Sequence, residues 1–217
     1  MSAQQLLSTL NIRPVAEEMR SALQQKIDNK TKPRGALGQL EAIALQLGQI
    51  QQSLSPQVDK PKMLVFAGDN GVVAQGVSPF PQEVTMQMVF NFLAGGAAVS
   101  VFCRQHQVPL QVVDVGVNAE FMPTALLSQR KVAMGTQDFS LSAAMTNEQF
   151  ATALKAGITE TNQAVAEGHN ILLLGEMGIG NTTTSAALMS ALTGIATVDC
   201  VGAGTGADAA GIQHKVA

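Results

Sequence analysis

Tryptophan and tyrosine are absent from this 217-residue sequence, and phenylalanine occurs only eight times. Single-stranded nucleic acid is held by stacking bases on exposed aromatic rings above a basic groove. The groove is missing too: the net charge is −3, and the tightest basic group is Lys30, Lys32 and Arg34. No nucleic-acid partner is expected. Charged residues make up 13%, about half the usual share, whereas 46% hydrophobic residues suffice for a sizeable core, so the chain folds rather than remaining disordered. The only cysteines, Cys103 and Cys200, lie far apart in apolar or glycine-rich settings and read as buried free thiols of a reducing cytosol. His106, His169 and His214 are scattered without metal-ligand spacing to either cysteine, so no metal is expected. Residues 1–20 lack the apolar centre of a signal peptide, and no stretch reads as membrane-spanning. A cytoplasmic protein without a membrane partner is expected.

What is present alternates between two periods. Val15, Met19, Leu23 and Ile27 lie four apart and predict a helix from Pro14. A breaker-rich turn over 29–35 follows. A second helix carries Leu37, Leu40, Leu47 and Ile50 and ends before Pro56. Two helices with no strand between them suggest a small helical subdomain over 1–58. From 59 to 217 the chain reads as an α/β nucleotide-binding domain. The continuous apolar run at 63–67 predicts a strand covered on both faces, and the stretches at 110–115, 171–174 and 197–201 read as further strands. Between them lie a helical region over 82–105 with a break at Gly95-Gly96, and a helix opened by the capping box Thr146-Asn147-Glu148-Gln149. The expected fold is α/β: a mostly parallel, Rossmann-like sheet flanked by helices, with ligands beyond the carboxyl ends of its strands.

The segment Gly175-Glu176-Met177-Gly178-Ile179-Gly180-Asn181-Thr182-Thr183 follows a strand and opens a helix. Glycines admit close backbone approach, and a helix N-terminus favours an anion such as phosphate. No Gly-Lys-Ser/Thr ending is present, so nucleoside-triphosphate hydrolysis is disfavoured. Asn181 or Thr182 serves equally well as a plain helix cap. Glu176, which would repel phosphate, suits a ribose hydroxyl or a ring N–H; the alternative is an exposed surface carboxylate. Gly202-Ala203-Gly204-Thr205-Gly206-Ala207 matches a dinucleotide fingerprint, but no acidic residue follows about twenty positions on, so it reads better as a second ribose- or phosphate-facing loop. An oxidoreductase therefore ranks low. Lys215 is either a phosphate partner or a solvated charge. Asp69, in Gly68-Asp69-Asn70-Gly71, is either part of a tight turn or a shaper of the ligand loop. The proline-stiffened run over 76–85 offers Ser78 and Phe80, and the following helix offers Met88, as walls for a flat ring. The alternatives are a rigid connector and core packing.

In order along the chain, Lys32-Pro33-Arg34-Gly35-Ala36-Leu37-Gly38-Gln39-Leu40-Glu41, Gly68-Asp69-Asn70-Gly71, Gly76-Val77-Ser78, Ala94-Gly95-Gly96-Ala97-Ala98, Val113-Asp114-Val115-Gly116-Val117 and the Gly175–Thr183 block resemble the nicotinate-nucleotide–dimethylbenzimidazole phosphoribosyltransferase family over nearly the whole chain. The resemblance implies transfer of the phosphoribosyl group of nicotinate mononucleotide to 5,6-dimethylbenzimidazole, giving α-ribazole 5′-phosphate and nicotinate for cobalamin lower-ligand synthesis. It also implies no cofactor, and a homodimer. Glu176, Gly178, Gly180, Asn181, Thr182, Thr183, Gly202, Gly204, Lys215, Ser78, Phe80, Met88 and Asp69 become candidate substrate-binding residues. The family's general-base glutamate is expected beyond residue 217, so no catalytic base is assigned within this chain. A non-catalytic nucleotide-binding module is the rival reading. Where the family pattern has His after Asp69, this chain has Asn70, which keeps a donor but does not titrate.

Overall fold

The computed structural model of the protein describes residues 3–217. In chain order its elements are α1 (Ala3–Thr9), α2 (Arg20–Asp28), α3 (Gln39–Gln51), β1 (Pro61–Gly68), a 3₁₀ turn (Gly71–Gln75), α4 (Glu83–Leu93), α5 (Ala98–Gln105), β2 (Leu110–Gly116), β3 (Leu127–Gln129), α6 (Asn147–Ala166), β4 (Ile171–Met177), α7 (Asn181–Thr193), α8 (Thr197–Cys200) and α9 (Ala209–Val216). They form two compact units, one over Ser8–Asp59 and the other over the remaining described residues.

The smaller unit is a helix pair. Leu23 of α2 is buried, and Gly48 of α3 lies so close to it that a Cβ there would collide with the leucine methyls. The helix expected from Pro14 begins only at Arg20. The Gln49 side chain donates to the Ala16 carbonyl at 3.2 Å and holds that stretch out of helical register.

The larger unit is built on a four-stranded parallel sheet in the order β3-β2-β1-β4. Strand alternation divides its side chains. Val65 and Ala67 of β1 join Val112 of β2 and Val89 and Phe92 of α4 in one apolar cluster. On the opposite face Phe66 and Val115 meet the start of α6, whose Gln149 and Ala153 line the same cavity. The capping box forms as expected: Thr146 accepts from the Gln149 amide, and the Gln149 side chain accepts from the Thr146 amide.

Three further expectations are corrected. The run 197–201 is the short helix α8, not a strand. Val201 N–H closes a helical bond to Thr197 C=O, and five residues are too few for periodicity to separate helix from strand. The fourth strand is β3 instead, three residues long and paired with β2. In addition, Glu83–Gln105 does have membrane-spanning length and a mean hydropathy of 1.5. The expected break at Gly95-Gly96 divides it into helices of 11 and 8 residues, and Val89 and Phe92 pack in the core. Both cysteines are free, but only Cys103 is buried.

A buried ion pair holds the ligand end of β2. Asp114 is 2% exposed. Its Oδ1 accepts from the amides of Gly116 and Val117, and its Oδ2 meets Lys131 Nζ at 2.7 Å. Lys131 also donates to the carbonyls of Val117 and Ala119. Truncating one partner strands the other charge, so Lys131→Met is expected to lower unfolding free energy by about 3–5 kcal/mol. A loss below about 1 kcal/mol in urea unfolding would show that the pair is dispensable.

At the opposite end of the sheet, a hydrogen bond from Lys62 holds the Glu167 carboxyl below its ordinary range, with Gln163 adding a second. A depressed folded-state pKa contributes stability that is present above the unfolded value of about 4.3 and is lost as pH falls through the folded value. The advantage of the native chain over Glu167→Gln should therefore be full at pH 7 and shrink as pH falls below about 4.3 in thermal melts.

Candidate functional site

Three strands deliver their carboxyl ends to one place. Gly68, Asp69 and Asn70 leave β1, Gly116 leaves β2, and Glu176 to Gly178 leave β4. With the start of α7 and the segment 132–136 they enclose a cavity of about 310 Å³. Its walls include Phe66, Val115, Met145 and Met177, and its polar groups include Asp69, Glu176, Gln149 and Asn181. No lysine, arginine or histidine lines it, so the two carboxylates make it unfavourable for an anion and suited to an apolar ring with an N–H or O–H donor.

Asp69 ties the cavity floor together. Its amide donates to Gly116 C=O at 3.0 Å, its carbonyl accepts from Thr136 N–H at 3.1 Å, and its Oδ2 accepts from Asn118 N–H at 2.7 Å. The second carboxylate oxygen, Oδ1, is buried without a hydrogen-bond partner.

Above this floor runs the glycine-rich loop. A Cβ on Gly178 would collide with the Gly68 carbonyl and lie 2.7 Å from Asn70 Nδ2. Gly180 has φ +83°, and a Cβ there would meet Val73 at 2.8 Å. Only glycine fits either position. Ile179 N–H donates to the buried Thr85 hydroxyl at 3.0 Å. The amides of Asn181, Thr183 and Thr184 bond loop carbonyls, and that of Thr182 bonds Asn181 Oδ1 at 2.8 Å. The loop therefore differs from the open row of donors its composition suggests. Among the described residues, Gly178 and Gly180 carry its only amides without a partner, and both glycines are buried.

The expected site residues fall into three groups. Asp69, Glu176, Gly178 and Asn181 share the first cavity, where Asn181 Nδ2 donates to Glu176 Oε1 at 2.5 Å. Gly204 sits between the Thr182 hydroxyl and the Lys215 ammonium; a Cβ on it would lie 2.8 and 3.4 Å from them. Thr183 and Lys215 line a neighbouring cavity of about 390 Å³, and Thr183 Oγ1 is buried there without a partner. Gly202 is exposed, with open space where a side chain would project. Ser78, Phe80 and Met88 line neither cavity. Ser78 accepts from the Phe80 amide in a turn, Phe80 is half-exposed, and Met88 packs against the core cluster. No cluster of His, Cys, Asp or Glu among the described residues is arranged to hold a metal.

Asn70, Thr85, Thr136 and Thr184 were not among the expected site residues. Two signals were available: Asn70 stands where the family pattern has His, and Thr85 is a polar residue in an otherwise apolar helical pattern, which proves to be fully buried.

Comparison with known proteins follows the same motifs. Residues 12–217 match a sequence model of a family described as Phosphoribosyltransferase (DBI_PRT). The nicotinate-nucleotide–dimethylbenzimidazole phosphoribosyltransferase of Cupriavidus necator is 48% identical over 204 residues, which span 94% of this chain and 59% of that protein. The protein of the same name from Dechloromonas aromatica is 51% identical, over 91% of this chain and 57% of its own length. The crystal structure of CobT from Thermus thermophilus superposes with a TM-score of 0.88 at 44% identity, covering 92% of this chain and 60% of that one. The chain thus spans somewhat under two thirds of the length of these relatives. With the motif blocks, the parallel sheet and the sequence match all in agreement, the chain belongs to the nicotinate-nucleotide–dimethylbenzimidazole phosphoribosyltransferase family.

Proposed function

We propose that this chain supplies the nucleotide-binding part of an enzyme that transfers the phosphoribosyl group of nicotinate mononucleotide to 5,6-dimethylbenzimidazole. The products are α-ribazole 5′-phosphate and nicotinate. The observation that carries this reading is the opposite charge on the two sides of the α7 N-terminus. Glu176 and Asp69 lie on one side, and Lys215, Gly204 and the Thr182 hydroxyl on the other. A nucleotide matches that division: phosphate on the lysine side, and a ribose hydroxyl donating to Glu176.

In the displacement, a ring nitrogen of dimethylbenzimidazole attacks the anomeric carbon and the bond to nicotinate breaks, inverting β to α. Positive charge develops on the ribose ring as nicotinate leaves, and the Glu176 carboxylate, held in place by Asn181, is placed to stabilise it. The attacking ring loses its N–H proton to a general base, and we assign that role to no residue within 1–217. The surface around Ser78 and Phe80 is assigned to the acceptor ring, whereas the partial burial of Met88 against the core cluster fits packing. No step calls for a metal or cofactor. The enzyme is proposed to act as a cytoplasmic homodimer, without nucleic-acid or membrane partners.

Nicotinate mononucleotide should bind this chain more tightly than nicotinate riboside in calorimetry; equal affinities would contradict a phosphate subsite. The two sides should also separate by mutation. Lys215→Ala should weaken the nucleotide by roughly 10- to 100-fold, the usual scale for a charge-assisted hydrogen bond, and leave the riboside unchanged. Glu176→Gln should weaken both ligands alike. Loss of riboside binding in Lys215→Ala would overturn this assignment.

A further inference from the structure

We infer that Asn70 is the positioning residue of the glycine-rich loop, a latch whose two amide atoms lock the loop and the first turn of α7 onto the end of β1. Its consequence for ligand binding rests on the reading of that loop as part of a nucleotide site.

Asn70 has extended backbone geometry after β1 and touches both parts of the loop. Its Nδ2 donates to Ile179 C=O at 3.1 Å, and its Oδ1 accepts from the Thr184 hydroxyl at 3.0 Å. The two atoms cannot be exchanged. A carbonyl only accepts, so the nitrogen must face Ile179 and the oxygen is left for Thr184. The Gly178 backbone packs against the same amide, and Asn70 Cβ would lie 3.7 Å from a Cβ on Gly180. One side chain therefore spans residues 178–184 from the opposite strand. Ile179 N–H is held independently by Thr85, so the Ile179 peptide is anchored on both its donor and its acceptor side. A side chain with one donor and one acceptor at this reach is required; Leu has neither, and ionised Asp has only acceptors.

The requirement for a donor makes the latch testable with an isosteric change. In Asn70→Asp at pH 7.5, a carboxylate oxygen would face the Ile179 carbonyl, two acceptors without a proton between them. Protonation restores an O–H donor as pH falls toward the carboxylate range, and other carboxylates adjoin the site. Those facing groups are Asp69 and Glu176 on the cavity, with Asp138 bonded to Gln75 nearby. All are present in the native chain, which serves as the control.

Hydrogen exchange of the peptide covering 177–185, corrected for intrinsic rate, is the direct readout. At pH 7.5, Asn70→Asp should exchange about tenfold faster than the native chain, and at pH 5.0 the gap should narrow. Thr184→Val, which removes only the second bond, should exchange faster at both pH values without narrowing. Affinity for nicotinate mononucleotide should follow the same pattern, weakened about tenfold in Asn70→Asp at pH 7.5 and partly recovered at pH 5.0. Native-like protection in Asn70→Asp at pH 7.5 would overturn the latch. Protection that behaves as expected, in a native chain that binds no nucleotide, would instead uphold the latch and refute the nucleotide reading.

Discussion

The ligand end of this sheet depends on how closely one backbone can approach another. Gly178 lies against the Gly68 carbonyl with no room for a Cβ, so the chain leaving β4 turns directly over the chain leaving β1. That contact brings Glu176 and Asn181 above Asp69 and Asn70, which are more than a hundred residues away in sequence. It also lets one asparagine reach both Ile179 and Thr184. Had β4 ended one side chain further away, the four polar residues would line separate surfaces. The parallel sheet supplies the alignment, with β1 and β4 paired in register from Pro61–Ile171 to Ala67–Met177.

Around that contact the electrostatics are divided. Asp69 and Glu176 face a cavity without a cation, while Lys215 stands across α7 beside Gly204 and Thr182. The division matters because the loop's own amides are mostly occupied by loop carbonyls, Thr85 and Asn181. Helix-start amides alone offer few free donors to a phosphate here. In the proposed nucleotide reading, recognition of the phosphate therefore falls to a lysine and a hydroxyl, and the carboxylates disfavour an anion on the other side. The Asp114–Lys131 pair works one layer below, fixing the loop after β2 that meets Asp69 through Asn118.

Much of this was legible in the residues. Apolar runs ending in glycine located β1, β2 and β4, and the capping box at Thr146 located α6, because both signals are local. The glycine-rich segment after β4 was recognisable for the same reason. Three features were not readable. The run over 197–201 is too short for period to decide between helix and strand. The start of α2 depends on a bond from Gln49, thirty-three residues away from Ala16. The partners of Asn70 are set by the β1–β4 pairing, which no local pattern encodes. Composition likewise showed donors in the glycine-rich loop but could not show that most of them are already engaged. Met88 illustrates the remaining ambiguity: a methionine on an apolar helix is more often core than pocket wall, and Met88 packs against the core cluster.

The proposed recognition of a nucleotide rests on opposite charges on the two sides of the α7 N-terminus. A crystal structure of this chain soaked with nicotinate mononucleotide tests it most directly. The phosphate is expected within hydrogen-bond distance of Lys215 Nζ and Thr182 Oγ1, with a ribose hydroxyl on Glu176. A phosphate seated in the cavity between Asp69 and Glu176, or a ligand bound away from the glycine-rich loop, would contradict it.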